Sequence, residues 1–132
     1  MQILKQEPPN FEQIKKAFPD AVASKGVIFA YAGDIYNPFA LPIGPQNVAH
    51  EQVHFIQQEE MGVDAWWDEY IANPEFRAQQ ELPAYRAEYQ YLKDHSDDRE
   101  KLARAARHMA SSLSGANYGF CISFSEALQS IL

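Results

Sequence analysis

Strand-forming residues are concentrated in one segment near the start of this chain, GVIFAYAGDIYNPF, residues 26 to 39. Val, Ile, Phe and Tyr favour strands, and the triplet AGD provides a bend or a hairpin turn. The segment is therefore predicted to be one bent strand or a two-stranded ribbon that ends at Pro38. QILK, residues 2 to 5, predicts one further short strand, and NFEQIKKAF, residues 10 to 18, predicts a one-sided helix stopped by Pro19.

The chain after Pro45 is predicted to be mostly helical. Pro45 suits the first turn of a helix, Gly62 separates that helix from DAWWDEYIA, and Asn73 is a candidate N-cap for the next one. Pro83 predicts either a kinked helix or two helices with a joint near Leu82. DDREKLARAARHMASSL and SFSEALQSIL predict two further helices near the C-terminus.

A length of 132 residues predicts a single domain over residues 1–132. Because its strands come first and its helices later, this domain is predicted to be of the α+β class. A small antiparallel or mixed sheet on the N-terminal side is expected to pack on a mainly helical C-terminal part. A domain of this size can fold without a metal, so a metal would more readily serve chemistry. Cys121 is the only cysteine, which excludes an internal disulfide, and we predict that it belongs to the core.

A formal net charge of -7 argues against nucleic acid as a partner. The one dense group of basic residues, between Arg99 and Arg107, alternates with acidic residues and predicts a solvated helix face. No membrane-spanning segment or signal peptide is recognisable, so a cytoplasmic location and no membrane partner are expected. The oligomeric state is not predicted.

The motif HEQVH, residues 50 to 54, lies in the predicted helix that follows Pro45. From 4 His and 11 Glu in the chain, chance placement gives about 0.01 expected matches to His-Glu-x-x-His. On a helix, His50 and His54 share one face, where both imidazoles can reach one metal ion. Glu51 lies roughly 100° round the helix, beside the metal, where a general base would stand. The alternative is that both histidines and Glu51 lie in solvent.

The rest of this helix predicts its surroundings. Apolar residues cover much of the circumference away from the histidines: Val48, Ala49, Val53, Phe55 and Ile56. The pattern predicts a buried helix with one polar cavity on the histidine face.

A catalytic zinc usually has three protein ligands and one open position. The arrangement with a Gly three residues after the second His and a third His three further on is excluded, because those positions hold Gln57 and Glu60. Glu81 and Glu88 lie seven residues apart, so they share a face of a continuous helix. Both are candidates for the third ligand, and Glu88 is alternatively a partner for an imidazole N–H.

HEQVH, followed 27 residues later by Glu81 in ELPAY, resembles the gluzincin type of zinc metallopeptidase. The resemblance implies a minimal zincin-like fold, Zn²⁺ as cofactor, His50, His54 and Glu81 as zinc ligands, and Glu51 as the general base. The chain is also similar, more loosely, to small phage and bacterial zincin-like proteins. That likeness rests on residues after the motif: Trp66, Trp67, Tyr70, Phe76, Arg77, Glu81, Ala84 and Tyr85.

The resulting expectation is a zinc-dependent hydrolase that cleaves peptide bonds in a protein or peptide substrate. Such a site also needs a hydrogen-bond donor for the developing oxyanion, which the phenol of Tyr36, Tyr85 or Tyr118 would supply. Tyr85 is named with Glu51 as a catalytic candidate, and the other two tyrosines stay open as alternatives. The strand before the motif is expected to offer an edge to an extended peptide. Two alternatives stay open: a zinc-binding but catalytically silent structural or interaction protein of phage or bacteria, and an interaction module in which the motif is coincidental.

Four aromatic residues after the motif are predicted to pack and not to form a substrate platform. We expect Trp66, Trp67, Tyr70 and Phe76 in the core or in helix packing. His95 and His108 lie far from any ligand pattern and are expected at the surface.

Overall fold

Three short strands form a small mixed sheet on the N-terminal side of the molecule. The computed structural model describes residues 1–132, and the strands are β1 (Ile3–Leu4), β2 (Phe29–Tyr31) and β3 (Asp34–Tyr36). Their order is β1-β3-β2, with β1 parallel and β2 antiparallel to β3. β2 is therefore an edge strand, and the predicted ribbon is confirmed.

A two-residue turn joins β2 to β3. Tyr31 pairs with Asp34, and the residues between them, Ala32 and Gly33, have φ values of 50° and 85°. Positive φ at both central positions is the type I′ geometry that matches the twist of the two strands. Gly33 adopts this conformation without cost, whereas Ala32 is held in it by the hairpin.

Seven helices make up most of the rest of the chain. They are α1 (Phe11–Ala17), α2 (Pro19–Ala23), α3 (Pro45–Met61), α4 (Val63–Ala72), α5 (Pro74–His95), α6 (Arg99–Leu113) and α7 (Phe124–Ile131). A single 3₁₀ turn, Ala116–Tyr118, lies between α6 and α7. The α+β class expected from the sequence is confirmed. No helix combines the length and the apolar character needed to cross a bilayer.

Prolines and an asparagine set several helix boundaries. Pro19 ends α1 as predicted but also begins α2, which the sequence did not predict, because proline suits the first position of a helix. Pro45 begins α3, and the Asn73 side chain accepts hydrogen bonds from the N–H groups of Glu75 and Phe76 at 3.0 and 3.3 Å. Pro83 lies inside α5, which is one continuous helix.

Two apolar clusters form the core, and neither has a fully buried member from α3. The first joins α1, α2, the sheet and α4 through Phe11, Ile14, Val22, Phe29, Tyr36, Trp66 and Trp67. The second joins the later helices through Tyr89, Ala106, Met109, Ala110, Leu113, Ala127 and Ile131. The predicted packing role of the two tryptophans is confirmed.

The interior face of α3 confirms the predicted polar cavity on the histidine side. Its buried residues are all polar, namely His50, Glu51, His54 and Gln58, whereas Ile56 is 59% exposed. Val48, Ala49, Val53 and Phe55 are half-buried, so the polar stripe of the helix is buried more deeply than its apolar faces. The apolar faces are less buried than the apolar count predicted, because the partners of each face are fixed only by tertiary packing.

Two further predictions concern the surface. Cys121 is exposed, so the prediction that it belongs to the core is wrong. It follows Gly119 and Phe120, which both have positive φ in the turn before α7, and this turn projects the segment away from the core. The basic residues of α6, Arg99, Lys101, Arg104 and Arg107, are exposed as predicted.

Candidate metal centre

Three side chains from two helices converge at the interior face of α3. Glu81 Oε1, from α5, lies 3.0 Å from His50 Nε2 and 2.8 Å from His54 Nε2. One ligand atom from each residue lies within 4.8 Å of the other two, and all three residues are buried. Two imidazole nitrogens and a carboxylate oxygen form a donor set that suits Zn²⁺, so these residues are close enough to hold a metal ion.

The helical register explains this convergence. His50 and His54 are one turn apart on α3, and α5 packs directly beside that turn. Continuity of α5 through Pro83 keeps Glu81 and Glu88 on one face, two turns apart. Glu81 consequently meets both imidazoles, while Glu88 reaches only the first one.

Glu88 holds the far side of His50. Its Oε1 atom lies 2.9 Å from His50 Nδ1, the ring nitrogen that faces away from Glu81. A carboxylate in this position accepts the imidazole N–H and orients the ring. Of the two roles left open for Glu88, the geometry favours the partner of an imidazole N–H.

Tyr70 fixes the orientation of the Glu81 carboxylate. Its phenol donates a hydrogen bond of 2.5 Å to Glu81 Oε2, which leaves Oε1 to the two histidines. The sequence predicted only a packing role for Tyr70, and it does stack on Trp66 at 4.8 Å between ring centroids. The contact with Glu81 has no sequence signal, because it depends on how α4 and α5 pack.

The ligand residues carry strongly perturbed pKa values. Burial would lower the pKa of His50, but its hydrogen bonds to Glu81 and Glu88 outweigh burial and hold that pKa well above 6.5. Burial acts on His54 in the same way and is outweighed chiefly by the charge of Glu81, so its pKa is also raised. Burial would raise the pKa of Glu81, but the neighbouring imidazoles hold it well below 4.5.

Glu51 is a buried carboxyl group without a hydrogen-bond partner in the protein. It is 7% exposed and lines the same cavity as the three ligand residues. Burial raises the pKa of Glu51, and the two nearby imidazoles only partly offset this effect. A carboxylate with a raised pKa and free oxygen atoms is suited to accept a proton from a molecule in the cavity.

The cavity beside these residues has a volume of about 410 Å³. The polar residues that line it include the two histidines of the motif and the three glutamates Glu51, Glu81 and Glu88. Apolar residues from α1 to β2 also line it, including Ile14, Phe18, Val22, Val27 and Phe29. A space of this size and character can hold part of a peptide chain.

Of the three predicted oxyanion donors, two lie at the cavity. Tyr85 and Tyr118 line it, and the Tyr85 ring packs edge-on against His50 at 4.8 Å between centroids. Burial raises the pKa values of both phenols, so both stay protonated and able to donate. Tyr36 is buried in the sheet against Tyr31 and does not line the cavity, so it is not a candidate.

The edge of β2 is only partly available to a ligand. The Ala30 carbonyl accepts hydrogen bonds from Gln58 Nε2 at 2.8 Å and from Trp67 Nε1 at 3.1 Å. Val27 and Ile28, which precede β2 and line the cavity, make no main-chain hydrogen bond. The unpaired main-chain groups beside the cavity therefore belong to residues 27 and 28, just before β2, and not to the strand itself.

The other two histidines differ in their surroundings. His95 is exposed at the end of α5 and contacts the Tyr91 carbonyl, as a surface residue would. His108 is also exposed but borders the cavity, a position that its distance in sequence from the motif did not predict.

Comparison of the chain with protein-family models, curated proteins and solved structures found no match.

Proposed function

We propose that the protein is a zinc-dependent hydrolase that cleaves peptide bonds. The observation that carries the proposal is the juxtaposition of His50, His54 and Glu81 with the unpartnered carboxyl group of Glu51 in one cavity. A site that only held a metal for stability would need neither a free buried carboxyl group nor an adjoining space. Both features support a hydrolytic site.

The metal has a defined part in this proposal. His50, His54 and Glu81 would hold Zn²⁺, which acidifies water and polarises a carbonyl group when it is bound. Glu88 and Tyr70 keep His50 and Glu81 oriented toward it through hydrogen bonds of 2.9 and 2.5 Å.

The protein residues carry the proton transfer. Glu51 takes a proton from the attacking water and passes it to the leaving amine, and burial, which raises its pKa, makes its carboxylate a better proton acceptor than an exposed one. Tyr85 donates a hydrogen bond to the carbonyl oxygen as negative charge develops on it, and Tyr118 is the alternative donor.

The cavity supports a peptide as the substrate. Free main-chain groups of Val27 and Ile28 would pair with an extended segment, while Ile14 and Phe18 contact an apolar side chain. Main-chain pairing gives affinity with little dependence on sequence, so the substrate class is an extended protein segment with at least one apolar residue.

The substitution Glu51→Gln tests the catalytic part of the proposal. It preserves the size of the side chain and removes its ability to accept a proton, so cleavage of a peptide library should fall by about 10²–10⁴-fold. Zinc content should not change, because Glu51 is not one of the three ligand residues.

Two results would count against this assignment. A Glu51→Gln variant that cleaves as fast as the parent would remove the role given to Glu51. Bound zinc with no cleavage of any peptide by the parent would favour the alternative of a catalytically silent zinc-binding protein.

A further inference from the structure

The second metal-ligand histidine is held by a neutral amide. His54 Nδ1 lies 2.9 Å from Gln57 Oε1, one turn further along α3. His50, in contrast, is held by the carboxylate of Glu88. The two imidazoles therefore have partners of different charge.

A contact with α5 fixes which way the Gln57 amide points. Gln57 Nε2 donates to the main-chain carbonyl of Gln80 at 3.0 Å. A carbonyl oxygen only accepts hydrogen bonds, so the NH₂ group must face Gln80 and the amide oxygen must face His54. The reversed amide would place two acceptor oxygens against each other.

This orientation determines the hydrogen on His54. Because Gln57 Oε1 can only accept, His54 Nδ1 must carry its hydrogen. In a neutral ring the lone pair is then on Nε2, the atom that lies 2.8 Å from Glu81 Oε1 within the ligand cluster. Nε2 is the atom that a metal ion would need.

The Gln57 amide makes one of two adjacent polar contacts between α3 and α5. His54 meets Glu81, and Gln57 meets the carbonyl of the preceding residue, Gln80. The Gln80 side chain is itself held, because its Oε1 accepts from Trp66 Nε1 at 2.9 Å. The turn of α5 that Gln57 contacts is therefore bonded to α3 through the main chain of Gln80 and to Trp66 of α4 through its side chain.

We propose that Gln57 is a positioning residue that presents the Nε2 lone pair of His54 to the metal ion. The inference rests on the metal site of the proposed function and needs no hydrolysis. Removing such a partner typically weakens metal binding by about 10- to 100-fold.

Three variants test the inference. Gln57→Leu removes the acceptor, Gln57→Glu restores an acceptor for His54 without the donor to Gln80, and Gln52→Leu is the matched control at an exposed position of α3. Co²⁺ affinity is measured on each metal-free protein by competition with a coloured chelator. Gln57→Leu should bind about 10- to 100-fold more weakly, and Gln52→Leu should stay near the parent. Gln57→Glu should bind more tightly than Gln57→Leu, because it restores the acceptor for His54, although one of its oxygens then faces the Gln80 carbonyl.

A spectroscopic signal separates positioning from a general loss of structure. In the zinc-loaded parent, the His54 Nδ1–H proton should give a downfield, slowly exchanging NMR signal, because it is hydrogen-bonded and buried. The signal should move upfield or broaden in Gln57→Leu and return in Gln57→Glu.

The inference is overturned if Gln57→Leu binds Co²⁺ as tightly as the parent, or if Gln57→Glu loses as much affinity as Gln57→Leu. A parent that binds Co²⁺ but cleaves no peptide would contradict the proposed hydrolysis and leave the role of Gln57 intact. A parent that binds no Co²⁺ would overturn the metal site and this inference together.

Discussion

At the scale of single residues, the site is an acid-base cluster whose charges are set by contact. Glu81 lies against both imidazoles, and Glu88 lies against one of them. These contacts stabilise the protonated rings and the ionised carboxylate. Because a metal ion requires neutral imidazoles, protons compete with the metal for this site.

This competition predicts proton release on metal binding. The pKa values of His50 and His54 are raised above 6.5, so both rings retain protons at a pH where an ordinary histidine is mostly neutral. Zinc binding at pH 7 should therefore release protons, and zinc affinity should fall as the pH drops below the raised pKa values. Calorimetric titrations in two buffers of different ionisation enthalpy measure the number released. Binding at pH 7 without proton release would show that the histidines are already neutral.

The sequence predicted some of these residues and missed others for physical reasons. Spacing on one helix was enough to pair His50 with His54, because the helix geometry is local. Glu81 and Glu88 stayed alternatives until the continuity of α5 was known, since Pro83 allowed two geometries. Gln57 and Tyr70 act through contacts between different helices, which no local pattern encodes.

At the scale of elements, one glutamine ties α3 to the sheet. Gln58 is 1% exposed, donates to the Ala30 carbonyl at 2.8 Å, and accepts from the Ala32 N–H at 3.1 Å. The side chain completes the edge of β2 and thereby fixes the distance between the strand and the histidine face of α3. These two hydrogen bonds also explain why a polar residue is buried at position 58.

Removal of these hydrogen bonds should destabilise the fold. Gln58→Leu keeps a similar volume but leaves the Ala32 N–H without its partner, so the free energy of unfolding should fall by about 1–3 kcal/mol. Urea denaturation measures the change, with the exposed Gln52→Leu as the matched control. Equal stability of the two variants would show that the hydrogen bonds of Gln58 contribute nothing.

At the scale of the whole molecule, the candidate metal centre draws on a helix, α5, that packs in both apolar clusters. α5 contributes Phe76 to the first cluster and Tyr89 to the second, while its middle turn carries Glu81. Each cluster is complete without a metal ion. The packing that stabilises the fold is therefore separate from the candidate metal centre.

This separation predicts the effect of metal removal. The metal-free protein should keep its helical circular dichroism and unfold cooperatively, because both clusters stay packed. Zinc at about 100 times its dissociation constant should then add about 2.7 kcal/mol of stability. Thermal unfolding with and without zinc measures both effects, and His54→Ala should show no zinc-dependent shift. Loss of helical structure on chelation would mean that the metal is required for folding.

The whole-molecule arrangement was the least predictable from the sequence. The α+β class followed from the contrast between residues 26 to 39 and the helical remainder. The side-by-side packing of α3 and α5, which creates the site, depends on which helix faces meet. The outward position of Ile56 shows that an apolar count alone does not decide this.

We expect His50, His54 and Glu81 together to hold one divalent metal ion. Elemental analysis after metal-free purification, zinc repletion and removal of excess metal counts the bound ions. The parent should hold one zinc per chain and His54→Ala or Glu81→Ala none, and Glu88→Ala should bind zinc more weakly, because it removes only the partner of His50. A parent without zinc, or stoichiometric zinc in His54→Ala, would show that these residues are not the ligands.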